Sequence, residues 1–179
     1  LVFGLILFFL AFIFLLSGLI SMMFGAPYVP LSRKSIYKIL LFGDLSPNDV
    51  LLDLGCGDGR VLMSGLSNFN ISETIGYEIA PWPYLKTLLL IKYNRIKKIK
   101  LFLNNCLKAD ISQATFIYLY LFPELVDKIA YKIAKEGIPE TIIICVSFPI
   151  DINKHTEFQL SKSTKIDNLI IYLYRLKNP

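Results

Sequence analysis

The sequence predicts an α/β fold: a three-layer sandwich in which a mostly parallel sheet lies between helices, preceded by one transmembrane helix. Three observations predict it. From Gly25 onward, apolar runs of strand length alternate with segments of helix length, with no internal repeat or linker to mark a second domain. Runs such as Thr115 to Phe122 are apolar at almost every position, as expected for strands covered on both faces. The 54% hydrophobic content of the 179 residues is concentrated at the front, where Leu1 to Phe24 hold no charge and no proline. At 1.5 Å per residue that run crosses a hydrocarbon core about 30 Å thick. A cleaved signal peptide is the alternative, with an apolar region normally shorter, about 7 to 15 residues. The expected organisation is therefore an anchor over 1–24 and one domain over 25–179.

Each element follows from local chemistry. Ser32 is a cap for a helix from about Arg33 to Phe42, and Ser46-Pro47-Asn48-Asp49 is turn chemistry. A strand begins at Val50 and runs to the glycines at 55, 57 and 59, and a helix follows from Arg60 to about Leu66. Thr74 to Tyr77 reads as a second strand ending in Glu78, and a helix opens near Pro83. Further strands are expected at Ile99 to Leu103, Thr115 to Leu121 and Thr141 to Ser147, with a helix from Pro123 to about Lys135. Two last strands, near Glu157 to Ser161 and Asn168 to Leu176, form an antiparallel edge.

Charge and side-chain inventory exclude several functions. All charged residues follow the apolar segment, and Arg33, Lys34 and Lys38 come soon after it, which the positive-inside rule reads as a single-pass membrane protein with a cytoplasmic catalytic domain. Cys56, Cys106 and Cys145 have no paired spacing, so neither a metal site nor a disulfide framework is indicated, and they are expected as buried thiols. The single histidine, His155, leaves little for Ser-His-Asp or multi-His chemistry and is expected at the surface. Between Glu78 and Asp110 there is no acid, while Lys86, Lys92, Arg95, Lys97, Lys98, Lys100 and Lys108 fall in that interval. A solvated helix face accounts for such a run, and so does contact with anionic membrane lipid. No nucleic-acid partner is expected, because the run lacks interleaved aromatics.

The most informative segment is Val50-Leu-Leu-Asp-Leu-Gly-Cys-Gly-Asp-Gly-Arg60. An apolar strand that meets an acid and then three alternating glycines is how a class I S-adenosylmethionine (SAM) site begins. Glycines there let backbone approach a cofactor where side chains would clash. A dinucleotide fingerprint, G-x-G-x-x-G, would need glycine where Arg60 stands. Glycines in this pattern also suit a plain flexible turn, and Glu78 argues against that. It lies roughly 20 residues beyond them at a strand end, where an open parallel sheet places a carboxylate for ribose hydroxyls. Asp53 either orders the glycine loop, faces the cofactor's amino-acid end, or joins an ordinary salt bridge.

Four segments together resemble the archaeal, bacterial and mitochondrial protein-lysine N-methyltransferases. They are Gly25-Ala-Pro-Tyr-Val-Pro30, Leu52-Asp-Leu-Gly-Cys-Gly-Asp-Gly-Arg60, Gly76-Tyr-Glu-Ile-Ala-Pro-Trp82 and Tyr118-Leu-Tyr-Leu-Phe-Pro123, spread over Gly25 to Pro149. The glycine motif is common to all such methyltransferases, whereas the first and third segments are more specific to this group, many members of which carry an N-terminal hydrophobic segment. Ala80 departs from a frequent Asn, and Asn104-Asn105 from a Gly followed by Asp or Asn. The resemblance implies a Rossmann-like class I methyltransferase sheet of seven strands.

It also implies roles. Asp53, Gly55, Gly57 and Asp58 shape the SAM loop and Glu78 holds the ribose. Asn105 either accepts from the adenine amino group or is a turn asparagine. Ile79 and Trp82 line the adenine slot, although a tryptophan between Pro81 and Pro83 serves equally as helix-entry packing. Tyr28 and the Phe122-Pro123 corner are the first candidates around the acceptor, with Tyr118 and Tyr120 as further aromatic liners or, on one strand face with Phe116, a structural stripe. The activity implied is methyl transfer from SAM to lysine side chains of a protein, with a membrane protein as the expected substrate. A lipid, quinone or other membrane-associated small molecule is the alternative acceptor, and a membrane protein that binds SAM without turnover is the alternative class.

Overall fold

The computed structural model describes residues 2–24 and 29–178. Its elements in chain order are α1 (Val2–Phe24), α2 (Arg33–Phe42), β1 (Val50–Leu54), α3 (Arg60–Phe69), β2 (Glu73–Glu78), α4 (Pro81–Tyr93), β3 (Ile99–Leu103), a 3-10 turn (Cys106–Lys108), β4 (Phe116–Leu119), α5 (Pro123–Glu136), β5 (Ile142–Val146), β6 (Phe158–Ile166) and β7 (Leu169–Leu176). The seven strands form one sheet in the order β3-β2-β1-β4-β5-β7-β6. The first five are parallel, β7 runs antiparallel to β5, and β6 closes the edge as a hairpin with β7. After β3 the chain returns past β1 to lay β4 on its other side. That reversal opens a crevice at the carboxyl ends of β1 and β4.

Alternation along the strands sorts the core into two layers. Leu52 and Leu54 of β1, Ile117 and Leu119 of β4 and Ile143 and Cys145 of β5 pack on α5 through Val126, Ile129, Ala130 and Ile133. Leu51, Phe116, Ile144 and Leu173 face the other way, onto Ile36, Ile39 and Leu40 of α2 and Val61 of α3. A smaller cluster of Cys56, Leu62 and Ile99, with Ile91 of α4 against it, extends this second layer. The sheet is thus covered by helices on both faces, and the expected three layers are present.

Element boundaries differ from expectation by two or more residues in four places, each with a physical cause. Helix α4 opens at Pro81, because prolines in a first turn lack only the N–H that would have no helical partner. Helix α3 runs on to Phe69 and ends on Asn70, whose φ of 53° terminates it. Strand β4 ends at Leu119, since the chain must turn through Tyr120 and Leu121 to place Phe122 as the N-cap of α5. Strand β6 continues to Ile166 through a run of Ser, Lys and Thr, mostly exposed. On a sheet edge such residues discourage pairing with another chain, and the irregularity between Leu160 and Lys162 does the same.

His155 corrects an expectation. It is only 5% exposed, its Nε2 lies 2.8 Å from Asp127 Oδ1, and its ring meets the edge of Phe158. A carboxylate on α5 satisfies the imidazole and lets apolar neighbours cover it. All three cysteines are free and buried.

Candidate cofactor and acceptor site

The glycine loop bridges β1 and α3 with Gly55, Gly57 and Gly59 at φ of 92°, 54° and 74°. These are left-handed values that residues with a Cβ resist. Gly59 has a second constraint: a Cβ there would lie 2.6 Å from Thr87 Cγ2 on α4. The Thr87 hydroxyl donates to the Gly57 carbonyl at 3.0 Å, so α4 holds the loop from behind. Asp58 accepts from Arg60 Nε at 3.0 Å and lies 3.5 Å from Lys86 Nζ. Arg60 in turn donates to the Leu31 carbonyl at 2.9 Å, tying the segment before α2 to the loop.

Glu78 stands at the end of β2, with each carboxylate oxygen fixed by a backbone amide. Gly57 N–H donates to Oε2 at 2.8 Å and Ala80 N–H to Oε1 at 2.7 Å. Each oxygen keeps a further lone pair for a ligand. Burial raises the Glu78 carboxyl above its ordinary value, and the amide bonds to Ala80, Gly57 and Ile79 oppose that rise. Asp53, at the end of β1, is 3% exposed. Burial, followed by the neighbouring Glu78 charge, pushes its carboxyl well up. Two carboxylates close together in a dry crevice create a demand for cationic or hydroxyl partners.

The crevice between them is a cavity of about 830 Å³. Asp53, Gly55, Gly57, Asp58, Glu78, Ile79 and Asn105 all line it, and so do Phe122 and Pro123. Asn105 Oδ1 accepts from Leu107 N–H at 2.9 Å and caps the 3-10 turn, so that oxygen already holds a backbone partner. Trp82 is not part of the wall; its ring meets Phe14 of α1 edge-on at 6.0 Å, and its amide donates to Ser17 Oγ at 2.7 Å. Helix-entry packing describes it. Tyr28 lies outside the described residues, and its neighbours Val29 and Pro30 border the cavity.

At the other end are Tyr118 and Tyr120 of the β4 exit, Phe122, and Phe148, whose ring meets Phe122 at 6.1 Å. Tyr118 is paired in register with Asp53 on the neighbouring strand. Its hydroxyl is buried without a hydrogen-bond partner among the described residues. Burial, then Asp53, raises its phenol well above the ordinary value, so it stays protonated and able to donate. Ser147 and Phe148 were not foreseen as wall residues. Their signal was positional, because residues just beyond β5 fall at the carboxyl edge of a parallel sheet. Ser147 also adopts φ of 69°, a conformation uncommon for serine.

These residues suit SAM: a loop without Cβ atoms, a buried carboxylate with free lone pairs for vicinal hydroxyls, a second carboxylate for a cationic amine, and an apolar slot at Ile79 and Leu107. Comparison with known proteins agrees. A family model of the ANTKMT methyltransferase domain matches residues 53–157. A protein-lysine N-methyltransferase of Saccharolobus islandicus (strain REY15A) is 30% identical over 125 residues, covering 69% of this chain and 78% of that protein. A Homo sapiens lysine N-methyltransferase acting on a subunit of ATP synthase is 23% identical over 131 residues, covering 69% of this chain and 52% of the relative, so the chain spans about half its length. Among solved structures, the crystal structure of an RNA methyltransferase from Salinibacter ruber in complex with S-adenosyl-L-homocysteine matches with a TM-score of 0.76 at 23% identity, over 84% of this chain and 95% of that one. An M. jannaschii tRNA methyltransferase matches with a TM-score of 0.65 at 14% identity, over 86% of this chain and 53% of that one. Such low identities carry the fold and not the acceptor. The family match spans more than half of the chain and falls on the strands that build the cavity, so the protein belongs to the ANTKMT methyltransferase domain family and is a SAM-dependent methyltransferase.

Proposed function

We propose that the protein methylates lysine side chains of a protein substrate, working at a membrane in which α1 is anchored. The observation that carries the acceptor assignment is Tyr118: a protonated, buried hydroxyl with no partner among the described residues, in a wall otherwise made of Tyr120, Phe122 and Phe148. A lysine ammonium has a pKa near 10.4 in water and must lose its proton before its lone pair can attack. A dry aromatic wall favours the neutral amine, and aromatic faces also accept the cation on its way in. Bound in the cavity, SAM supplies an activated methyl group on a sulfonium sulfur. With SAM bound, Glu78 would hold the ribose end and Asp53 the amino-acid end, while Tyr118 and Phe122 would orient the neutral amine toward the methyl group. The relatives named above act on lysine, which supports the same acceptor.

Anchoring is supported by α1 itself. Val2–Ile20 is apolar enough and long enough to cross a membrane, and Phe3, Phe8, Phe9 and Leu15 are exposed. A signal sequence shares that composition. A helix destined for removal would, however, have no reason to dock on the domain through Ser17 and Phe14 as α1 does. Arg33, Lys34 and Lys38 favour a cytoplasmic domain.

The test is to incubate the full chain with methyl-labelled SAM and membranes of its own source, extract lipid, and hydrolyse the protein fraction. Methyl-lysine is the expected product. Label in the organic extract alone would move the acceptor to a lipid or quinone, and binding of SAM with no label transferred would leave a non-catalytic binding protein.

A further inference from the structure

We propose that the outer stripe of α4, with the loop after it and the edge strand β3, is a bilayer-facing surface that rests on anionic phospholipid. The proposal rests on the membrane reading of α1 and deepens it. Trp82, Lys86, Leu89, Leu90 and Tyr93 recur at helical spacing and so form one stripe along α4. Its apolar members are open to the surroundings, with Leu89 58%, Leu90 43% and Tyr93 87% exposed. On β3, the edge strand, Phe102 and Leu103 are likewise 42% and 51% exposed. Isolated exposed apolar residues need no explanation, but these share one edge of the molecule.

Charge says what covers them. Lys92 in the last turn of α4 and Arg95, Lys97 and Lys98 in the loop after it follow the stripe, all exposed. No carboxylate among the described residues forms an ion pair with them, and none occurs in the sequence between Glu78 and Asp110. Leucine and tyrosine bordered by unpaired cations are the composition of a surface that sits at head-group level, with the apolar side chains reaching the acyl boundary and the cations meeting phosphates.

Geometry places the surface at the bilayer. The Trp82 end of the stripe contacts the middle of α1, through Phe14 and Ser17, not its end. Phe24 lies seven positions beyond Ser17, about 10 Å of helix. A spanning α1 therefore draws α4 down to the interface, and the domain does not hang from a tether. Phe102 stacks on Tyr77 at 4.9 Å, and Tyr77 lines the cavity, so this edge also borders the site. An acceptor lysine near the membrane surface would meet the cavity without leaving it.

The experiment places a nitroxide on the full chain at Tyr93→Cys, with Phe8→Cys in α1 and Tyr131→Cys on α5 as references, in nanodiscs of phosphatidylcholine with or without phosphatidylglycerol. Collision with oxygen reports lipid contact, and collision with a soluble nickel chelate reports water. Methyl transfer is not involved, so the outcome is independent of the acceptor. The expected result is a lipid-like Tyr93 position in anionic discs, a shift toward water of about tenfold in partitioning when Lys97→Glu and Lys98→Glu are added, and a water-like Tyr131 position throughout. A water-like Tyr93 position in anionic discs, with Phe8 in lipid, overturns the surface and leaves the anchor standing. A Tyr93 position shielded from both probes overturns it in favour of a protein partner. A water-like Phe8 position removes the membrane reading on which the surface rests and overturns the surface with it.

Discussion

Asp53 and Glu78 cost the fold stability, because burial opposes their charged forms. Both carboxyls are raised by burial, so between the ordinary value near 4 and the raised values the folded chain binds more protons than the unfolded one. Their contribution is therefore greatest at low pH and is lost as pH rises through the folded values. Asp53→Asn removes the larger part of that burden. Every tenfold by which folding weakens the acid corresponds to about 1.4 kcal/mol, so for each such tenfold the variant should melt roughly 3 to 6 °C higher at pH 7.5 in the absence of cofactor. The gain should shrink toward pH 4, and affinity for SAM should fall. Calorimetry at both pH values checks the sign, and a variant that melts lower at pH 7.5 would refute the burial argument. Tyr118 is separable from the cofactor. Tyr118→Phe keeps the ring, removes only the unpartnered hydroxyl, and should leave SAM affinity within about twofold while lowering kcat by roughly tenfold or more. Equal losses in both would place the hydroxyl on the cofactor.

At the scale of elements, the glycine loop is held jointly by β1, β2 and α4. The sequence shows the glycines, and the strand-end acid Glu78 is legible from its spacing. What the sequence does not show is that Glu78 receives Gly57 N–H, or that Thr87 packs where a side chain at Gly59 would lie. Gly59→Ala adds a Cβ at φ of 74° and 2.6 Å from Thr87. It should destabilise the chain by about 1 to 3 kcal/mol and weaken SAM binding, measured by urea unfolding and titration calorimetry; Thr87→Ser added to it should recover part of the stability, because the methyl group that clashes is removed. His155 illustrates the reverse limitation. A polar sequence neighbourhood suggested exposure, but α5 brought Asp127 to it.

For the whole molecule, the crevice at the reversal of strand order gathers residues from β1, β2, β4, the β5 exit and the 3-10 turn. A ligand bound across those elements stabilises them together. With S-adenosylhomocysteine at about 100 times its Kd, the folded state should gain roughly 2.7 kcal/mol, which corresponds to about 5 to 10 °C in Tm at this chain length. A scanning melt reads this directly. No shift, with nicotinamide dinucleotides raising Tm instead, would contradict the site assignment.

The sequence alone determined the alternation of strand and helix, the glycine turn, Glu78 at a strand end and the apolar N-terminal run, because these depend on local periodicity, backbone sterics and composition. The long-range contacts were decided by the tertiary structure. The raised Asp53 carboxyl needs burial by the folded core and the Glu78 charge on the neighbouring strand, the unpartnered hydroxyl of Tyr118 needs a closed wall, and the docking of Trp82 on Ser17 joins residues 65 positions apart. Periodicity tells which face of a strand is covered, whereas electrostatics and hydrogen-bond satisfaction depend on which distant residue covers it.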